Sequence, residues 1–214
     1  MKRMAQELKT QALTSAVTPP PSMTYEEFLE WGDGIRAEWV DGEVIVMSPA
    51  SVAHQRVLSF LAALLQHFVE ANELGLILVA PFQMRLRARP SGREPDLIFV
   101  ARERLDKLQN TYLDGPADLA IEIISPDSGA RDRGDKYYEY EQAGVREYWL
   151  IDPVRKQAEF YRLGSDGVFS AVTTGLDGLY HSKVIEGLWL KVDWLWQDPL
   201  PTLMSVLKEW GLVK

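Results

Sequence analysis

The sequence predicts a mixed α/β fold, in which a β-sheet is flanked by helices and a C-terminal β-meander follows. Three patterns lead to this prediction. Alternating segments flank the pair Asp41-Gly42, apolar residues recur at helical spacing from Ser51 to Asn72, and several later apolar runs are typical of buried strands. With 214 residues, of which 46% are hydrophobic, the chain is long enough to form one domain with a sizeable core.

The N-terminal elements are predicted from breakers and turn residues. Residues 1–22 end in Thr-Pro-Pro-Pro-Ser, whose prolines forbid a helix, so we expect a flexible tail before a single domain at 23–214. Thr24 and Glu27 have the spacing of a capping box and predict a short helix. The pair Asp41-Gly42 then predicts a tight hairpin, because both central residues of such a turn need positive φ.

The middle of the chain is predicted to alternate between helices and strands. A long amphipathic helix over 51–72 precedes LILVAPFQMRLRA, which forms one strand or two strands broken at Pro81. The run PDLIFV is a further strand, followed by a charged helix over 102–108 and a strand over 119–124. A helix that begins at Asp127 or Ser128 should reach Ala143 and end before a glycine.

The C-terminal third is predicted to be mostly strands. REYWLIDP forms a strand, and three alternating segments, KQAEFYRL, GVFSAVTT and YHSKVIEGLWLKVDWL, continue as a meander. A helix over 203–210 closes the chain.

Composition excludes several kinds of protein. The chain has no cysteine, so a disulfide or a thiolate-bound metal is impossible and any metal must be held by oxygen or imidazole ligands. No apolar stretch approaches the roughly 20 residues of a membrane span, and the N-terminus lacks the apolar centre of a signal peptide. The simplest expectation is a cytoplasmic protein without a membrane partner.

The charge pattern allows a local contact with nucleic acid. A net charge of −8 argues against non-specific binding over the whole surface. Between Arg85 and Lys107, however, the sequence contains seven basic residues and only four acidic ones. Arg85, Arg87 and Arg93 are therefore candidates for contacts with phosphates, although a solvated hairpin and helix face would give the same pattern.

Two carboxylates stand in runs that predict buried strands. Asp96 opens PDLIFV, and Glu122 lies within DLAIEIISPDS, on the strand face that it shares with Ala120 and Ile124. An unpaired buried charge is costly, so each carboxylate needs a partner such as Mg2+, which prefers carboxylate oxygens. The structural alternatives are a loop cap for Asp96 and a buried pair with an arginine for Glu122.

Lys136 is the candidate cation of this group. On the helix predicted after Glu122 it shares a stripe with Asp132 and Tyr140, from which it could face the two carboxylates. There it would orient or deprotonate an attacking water, so that Lys136→Met should reduce cleavage and leave stability nearly unchanged. The structural alternative is a solvated lysine paired with Asp132.

Several motifs in order resemble the Uma-type restriction endonuclease family of the PD-(D/E)XK nuclease superfamily. They are Asp96 after a proline, Glu122 in E-x-x-S-P, R-D-x-x-x-K-x-x-x-Y, A-G-V-x-E-Y-W-x-I-D-P, and E-W-V-D-G-E-V-I-V-M-S-P-A with a following His-Gln. The resemblance spans 23–153. One departure from the superfamily is Ile124, which replaces the lysine two residues after the glutamate; Lys136 on the following helix matches its relocated position.

The resemblance implies a restriction-endonuclease-like fold and a metal-dependent endonuclease acting on DNA. Asp96 and Glu122 would bind Mg2+ or Mn2+, and Lys136 would assist the nucleophile. Secondary candidates in the implied site are Glu38, as an outer metal ligand or a partner of Lys136, His54 and Tyr140.

Other functions remain open on the sequence alone. One is a catalytically inactive nucleic-acid-binding or regulatory module with the same fold. Another is an enzyme site for a small phosphoester, which is the weaker alternative because the sequence has no glycine-rich loop to bind a phosphate. Trp189, Trp194 and Trp196 could supply the surface of a homodimer, although core packing would explain them equally well.

Overall fold

The computed structural model describes residues 22–31, 35–125 and 128–214. Helices are α1 (Tyr25–Glu30), α2 (Val52–Ala71), α3 (Gly129–Arg133), α4 (Asp135–Ala143) and α5 (Leu203–Glu209). Two 3-10 helices span Arg102–Lys107 and Val192–Trp196. Strands are β1 (Ala37–Val40), β2 (Glu43–Val46), β3 (Gly75–Val79), β4 (Gln83–Leu86), β5 (Ser91–Arg93), β6 (Leu97–Ala101), β7 (Tyr112–Asp114), β8 (Leu119–Ile123), β9 (Glu147–Asp152), β10 (Gln157–Leu163), β11 (Phe169–Ala171), β12 (Leu179–His181) and β13 (Trp189–Lys191).

Local sequence signals account for the first elements. The Thr24 hydroxyl accepts the backbone N–H of Glu27, and the Glu27 carboxylate accepts the backbone N–H of Thr24, which completes the predicted capping box at α1. Asp41 and Gly42 both have positive φ, 48° and 95°, and form the turn between β1 and β2. The expected tail over 1–22 lies, up to residue 21, outside the described residues.

A six-stranded mixed sheet forms the centre of the fold, in the order β11-β10-β9-β8-β6-β3. Strands β8 and β9 are parallel, and the other neighbours are antiparallel. Helix α2 packs on one face, where Leu61 and Leu65 join the same core as Leu119 and Ile121 of β8. The predicted mixed α/β fold with flanking helices is confirmed.

The alternation of β8 directs Glu122 away from that core. Ala120 and Ile124 pack on the opposite face, with Tyr140 of α4 and Tyr148 of β9. Glu122 lies between Ala120 and Ile124 in the alternation and so points towards α4.

The chain leaves the central sheet after β3. Of the two possibilities for LILVAPFQMRLRA, the structure has two strands, because β3 is an edge of the central sheet and β4 belongs to a second one. This second sheet has five strands in the order β2-β1-β5-β4-β7. It supplies Glu38 from β1 and Arg93 from β5.

The helix predicted as continuous up to Ala143 is divided into α3 and α4. Gly134 has ψ −96°, outside the helical range, and an added Cβ would lie 2.8 Å from the carbonyl oxygen of Ala130. Ser128 does not cap α3 with its side chain, which instead accepts the backbone N–H of Ser125. Asp127, the other predicted start, lies outside the described residues.

The C-terminal strands form two groups. Strands β9, β10 and β11 follow one another antiparallel at one side of the central sheet, so the predicted meander is confirmed for its first two segments. It is wrong for the third segment, YHSKVIEGLWLKVDWL, because among the described residues β12 and β13 pair with each other in a separate two-stranded sheet. Trp189 and Trp194 pack against each other and against Trp210 in the core of the α2 face. The homodimer therefore stays a prediction without support from these tryptophans. Within the described ranges, no helix is long and apolar enough to cross a membrane.

Candidate active site

The two carboxylates meet across neighbouring strands. In the antiparallel pair of β6 and β8, Leu97 lies opposite Ile121, and continuing this register by one residue places Asp96 opposite Glu122. The backbone N–H of Ile123 donates to Asp96 Oδ2 at 2.8 Å, which fixes the aspartate at this end of the strand pair. Opposite residues of an antiparallel pair share a face, so both side chains point to the same side of the sheet.

Lys136 and Tyr140 hold Glu122 from α4. Lys136 Nζ lies 2.8 Å from Glu122 Oε1, and the Tyr140 hydroxyl donates to the same oxygen at 2.9 Å. Lys136 is only 1% exposed, so the alternative of a solvated lysine is wrong. Its removal would leave buried carboxylates without their common cation, so from the structure we expect Lys136→Met to lower stability, contrary to the prediction from the sequence.

Glu38 is a second carboxylate partner of the same lysine. Lys136 Nζ lies 2.8 Å from Glu38 Oε1, which also accepts the backbone N–H of Glu94. Glu38 Oε2 accepts a hydrogen bond from Arg93 at 2.9 Å. Of the two positions proposed for Glu38, the one beside Lys136 is therefore the one observed.

Arg93 lies between β1 and α4, and all three of its guanidinium nitrogens donate hydrogen bonds to carboxylates. Its Nε and terminal nitrogen donate to the two oxygens of Glu139 at 2.7 and 2.6 Å, and its other terminal nitrogen binds Glu38. With 1% exposure it is closed to solvent, so the prediction that Arg93 contacts phosphates is wrong. The two carboxylates offset the cost of burying the guanidinium.

Asp96 has a different set of partners. His54 Nε2 lies 3.0 Å from Asp96 Oδ2, and Arg36 approaches Oδ1 at 3.9 Å while it pairs with Glu94 at 2.6 Å. His54 is buried in the first turn of α2, and its Nδ1 has no hydrogen-bond partner among the described residues. The histidine thus positions the aspartate.

The cluster around Lys136 carries an excess of negative charge. Two buried cations, Lys136 and Arg93, lie among four buried carboxylates, those of Glu38, Glu122, Asp132 and Glu139. Partly exposed Arg89 and Arg131 approach only from the edge, at 3.4 and 3.9 Å.

This arrangement separates the pKa values of the carboxylates. Burial raises the pKa of Glu122 well above its usual value against the effect of Lys136, and Asp132 and Asp96 raise it further. Burial would also raise the pKa of Glu38, but Lys136 and Arg93 lower it to about 2. Burial opposes the charge of Lys136, yet Glu122 and Glu38 raise its pKa overall. An additional positive charge is therefore favourable next to Glu122.

Arg85 and Arg87, the other predicted phosphate contacts, lie on or just after β4. Arg85 pairs with Glu26 at 2.6 Å and stacks over the Tyr25 ring, and Arg87 binds Asp114 at 2.7 Å. Their contact with nucleic acid stays a prediction.

Several residues of the site were not identified from the sequence as functional. Glu139 lies one turn after Lys136, and that spacing on one helix face was a usable signal. Asp132 was considered only as a surface partner of Lys136. Glu94 and Arg36 gave no signal, because their pairing depends on contact between separate elements.

Comparison with known proteins identifies the family. A model of the Uma2 family, described as putative restriction endonuclease, matches residues 25–193, well over half of the chain. The chain belongs to the Uma2 family. All the site residues named above lie within the matched range.

Two similar proteins illustrate how the Uma2 chain relates to others. An uncharacterized protein from Synechocystis sp. (strain ATCC 27184 / PCC 6803 / Kazusa) is 24% identical over 158 residues, which cover 72% of this chain and 80% of that protein. A crystal structure from Anabaena variabilis ATCC 29413, described as a putative nuclease belonging to DUF820, has a TM-score of 0.68 at 19% identity. The match covers 81% of this chain and 97% of that one, and at this identity it shows the shared fold.

Proposed function

We propose that this Uma2 chain is a metal-dependent endonuclease that hydrolyses phosphodiester bonds in DNA. The observation that carries the proposal is the placement of Asp96 opposite Glu122 at one end of two neighbouring strands, with Lys136 Nζ 2.8 Å from Glu122. Two carboxylates and an ammonium on one side of a sheet are suited to holding a divalent cation beside a phosphate. Membership in the family and the fold of the Anabaena protein support the same activity.

The donor atoms fit a hard divalent cation such as Mg2+ or Mn2+. In the described part of the chain, the short hydrogen bonds to these carboxylates go to Asp96 Oδ2 and Glu122 Oε1. Asp96 Oδ1 and Glu122 Oε2 would be the ligands. The same part of the chain contains no ready group of three His, Asp or Glu side chains for a metal, so water and substrate would complete the shell, as is common for Mg2+.

The side chains of the site would each have a distinct task. When bound, a divalent cation would lower the pKa of a coordinated water and offset phosphate charge. His54 and the Ile123 N–H orient Asp96, Tyr140 orients Glu122, and Glu38 holds the Lys136 ammonium beside the reacting groups. Lys136 would stabilise the charge that develops on the phosphate and position the attacking water.

One observation favours a second candidate, an inactive nucleic-acid-binding module. Glu122 Oε1 already accepts hydrogen bonds from Lys136 and from Tyr140, so this oxygen has partners without any metal. Metal binding separates the two candidates, because an inactive module would have no need of a cation at Asp96 and Glu122.

Mn2+ is expected to stabilise the folded protein by mass action. At a concentration about 100 times its Kd, the gain in the free energy of unfolding should be about 2.7 kcal/mol, and thermal denaturation followed by circular dichroism measures it. In Asp96→Asn, which keeps an acceptor for the Ile123 N–H, the gain should disappear. Asp193 is exposed, so Asp193→Asn serves as the matched control and should keep the full stabilisation by Mn2+. Equal stabilisation of wild type and Asp96→Asn would disprove the metal site.

A cavity whose lining begins two residues after Glu122 in the chain would offer a path for the nucleic acid. It has a volume of about 570 Å3, begins at Ile124 and Ser125, and extends to Arg133 and Arg155. Arg133 is held by Glu159 at 2.7 Å, whereas the 71% exposed Arg155 lies 3.8 Å from Asp152. Arg155 is thus the cation that can turn towards a phosphate at little cost.

Arg155→Ala is expected to weaken DNA binding and to reduce its salt dependence. Loss of one phosphate contact should lower the slope of log K against log salt by about 0.9 for duplex DNA. Fluorescence anisotropy with a labelled duplex, in Ca2+ to suppress cleavage, measures both quantities. The control is Arg102→Ala, an exposed arginine at the opposite end of β6 from Asp96. If the two variants have the same slope, DNA does not follow this cavity.

A further inference from the structure

Asp132 is a buried carboxylate that the proposed chemistry does not use. Its side chain is 1% exposed, and neither oxygen has a hydrogen-bond partner among the described residues. Burial raises its pKa; Lys136 lowers it, and so does the nearby Ser128 hydroxyl, although that hydroxyl does not reach hydrogen-bonding geometry. A buried carboxylate without donors is costly, which indicates that Asp132 receives a donor in another state of the protein.

The nearest cationic donor is Lys136. Its Nζ lies 3.6 Å from Asp132 Oδ1, compared with 2.8 Å from Glu38 and 2.8 Å from Glu122. Two of the three N–H groups of the ammonium bind Glu38 and Glu122, and Asp132 lies beyond the length of an ordinary hydrogen bond. A shift of about 1 Å would bring Nζ to the length of an ordinary charge-assisted hydrogen bond with Asp132.

We propose that Asp132 is a positioning residue that takes the Lys136 ammonium from Glu122 when a divalent cation binds Glu122. The inference rests on the proposed function. A dication and an ammonium on the same buried carboxylate repel each other strongly, because little solvent screens them. Glu38 does not move, since Arg93 and the Glu94 N–H hold its two oxygens.

The ammonium therefore pivots about Glu38, from Glu122 to Asp132. Asp132 lies at the end of α3 and Lys136 in the first turn of α4, so the movement needs only the lysine side chain. In the new position two N–H groups bind Glu38 and Asp132, and the third is released from Glu122. That N–H is then available for the phosphate or the attacking water. Cation binding would thus set the position of the lysine.

Mn2+ titration by calorimetry in a double-mutant cycle tests the proposal. Asp132→Asn should weaken Mn2+ binding about tenfold, because the displaced ammonium loses its acceptor and stays in competition with the cation. In a Lys136→Met background, Asp132→Asn should change the Mn2+ affinity no more than the control change Asp135→Asn does. Asp135 is an exposed aspartate of α4 next to Lys136, so this control removes the same charge outside the cluster.

An equal loss of affinity from Asp132→Asn in both backgrounds would overturn the proposal, because Asp132 would then act on the cation through its charge alone. Should Lys136→Met fail to fold, a crystal structure of the wild type with Mn2+ decides the question. We expect Nζ at about 2.9 Å from Asp132 and no longer bonded to Glu122. Mn2+ on Glu122 with Nζ unmoved would overturn this inference alone, whereas no Mn2+ at Asp96 and Glu122 would overturn the proposed metal site and, with it, the inference.

Discussion

Lys136→Met is expected to lower DNA cleavage by about 100-fold or more and to lower the free energy of unfolding by about 3–5 kcal/mol. The loss of activity follows from the missing ammonium beside Glu122. The loss of stability follows from burial, since Glu38, Glu122 and Asp132 would share a closed site without their common cation. Cleavage of a supercoiled plasmid in Mn2+ and urea denaturation measure the two effects.

The control for this variant is Lys208→Met, an exposed lysine in α5. It makes the same chemical change on a helix and should alter neither cleavage nor stability appreciably. Cleavage should be measured at a temperature and urea concentration where both variants remain folded. Full activity in folded Lys136→Met would show that another group assists the nucleophile.

Arg93→Met is expected to be among the most destabilising single changes in the chain, at about 3–5 kcal/mol. Removal of the guanidinium leaves Lys136 as the close cation beside buried Glu38 and Arg89, at 3.4 Å, beside buried Glu139, and it removes the side-chain link between β5 and α4. The matched control is Arg87→Met, in which an exposed arginine loses one carboxylate partner and about 1 kcal/mol or less. Urea denaturation of both variants with similar m-values gives the comparison. Equal losses would mean that Glu38 and Glu139 find other partners.

Local signals predicted those elements whose causes are local. The alternation of side chains in residues 119–124 correctly predicted that Glu122 shares a strand face with Ala120 and Ile124, because the apolar side chains of this strand pack on both faces of the sheet. Asp41-Gly42 gave the hairpin through its backbone preference. The contact between Lys136 and Glu122 was also predicted, since the lysine follows on the next helix and shares a stripe with Tyr140.

Features that depend on contact between distant segments were not predictable in the same way. Arg93 belongs to a run of basic residues that suggests a solvated surface, and only the approach of β1 and α4 explains its burial. The break at Gly134 was missed because a single glycine within a helical pattern is usually tolerated. Glycine permits this break, because a Cβ at residue 134 would lie 2.8 Å from the Ala130 carbonyl oxygen.

The charge pairs within the cluster also bear on how the protein matures in the cell. In proteins whose carboxylates or thiolates face each other without internal cations, metal uptake supplies free energy for folding. Here Lys136 and Arg93 are covalent parts of the chain and offset the carboxylates around them as soon as the segments assemble. Under the proposed function, folding and metal loading would therefore be separate events, and the chain would reach its native state before it binds the cation.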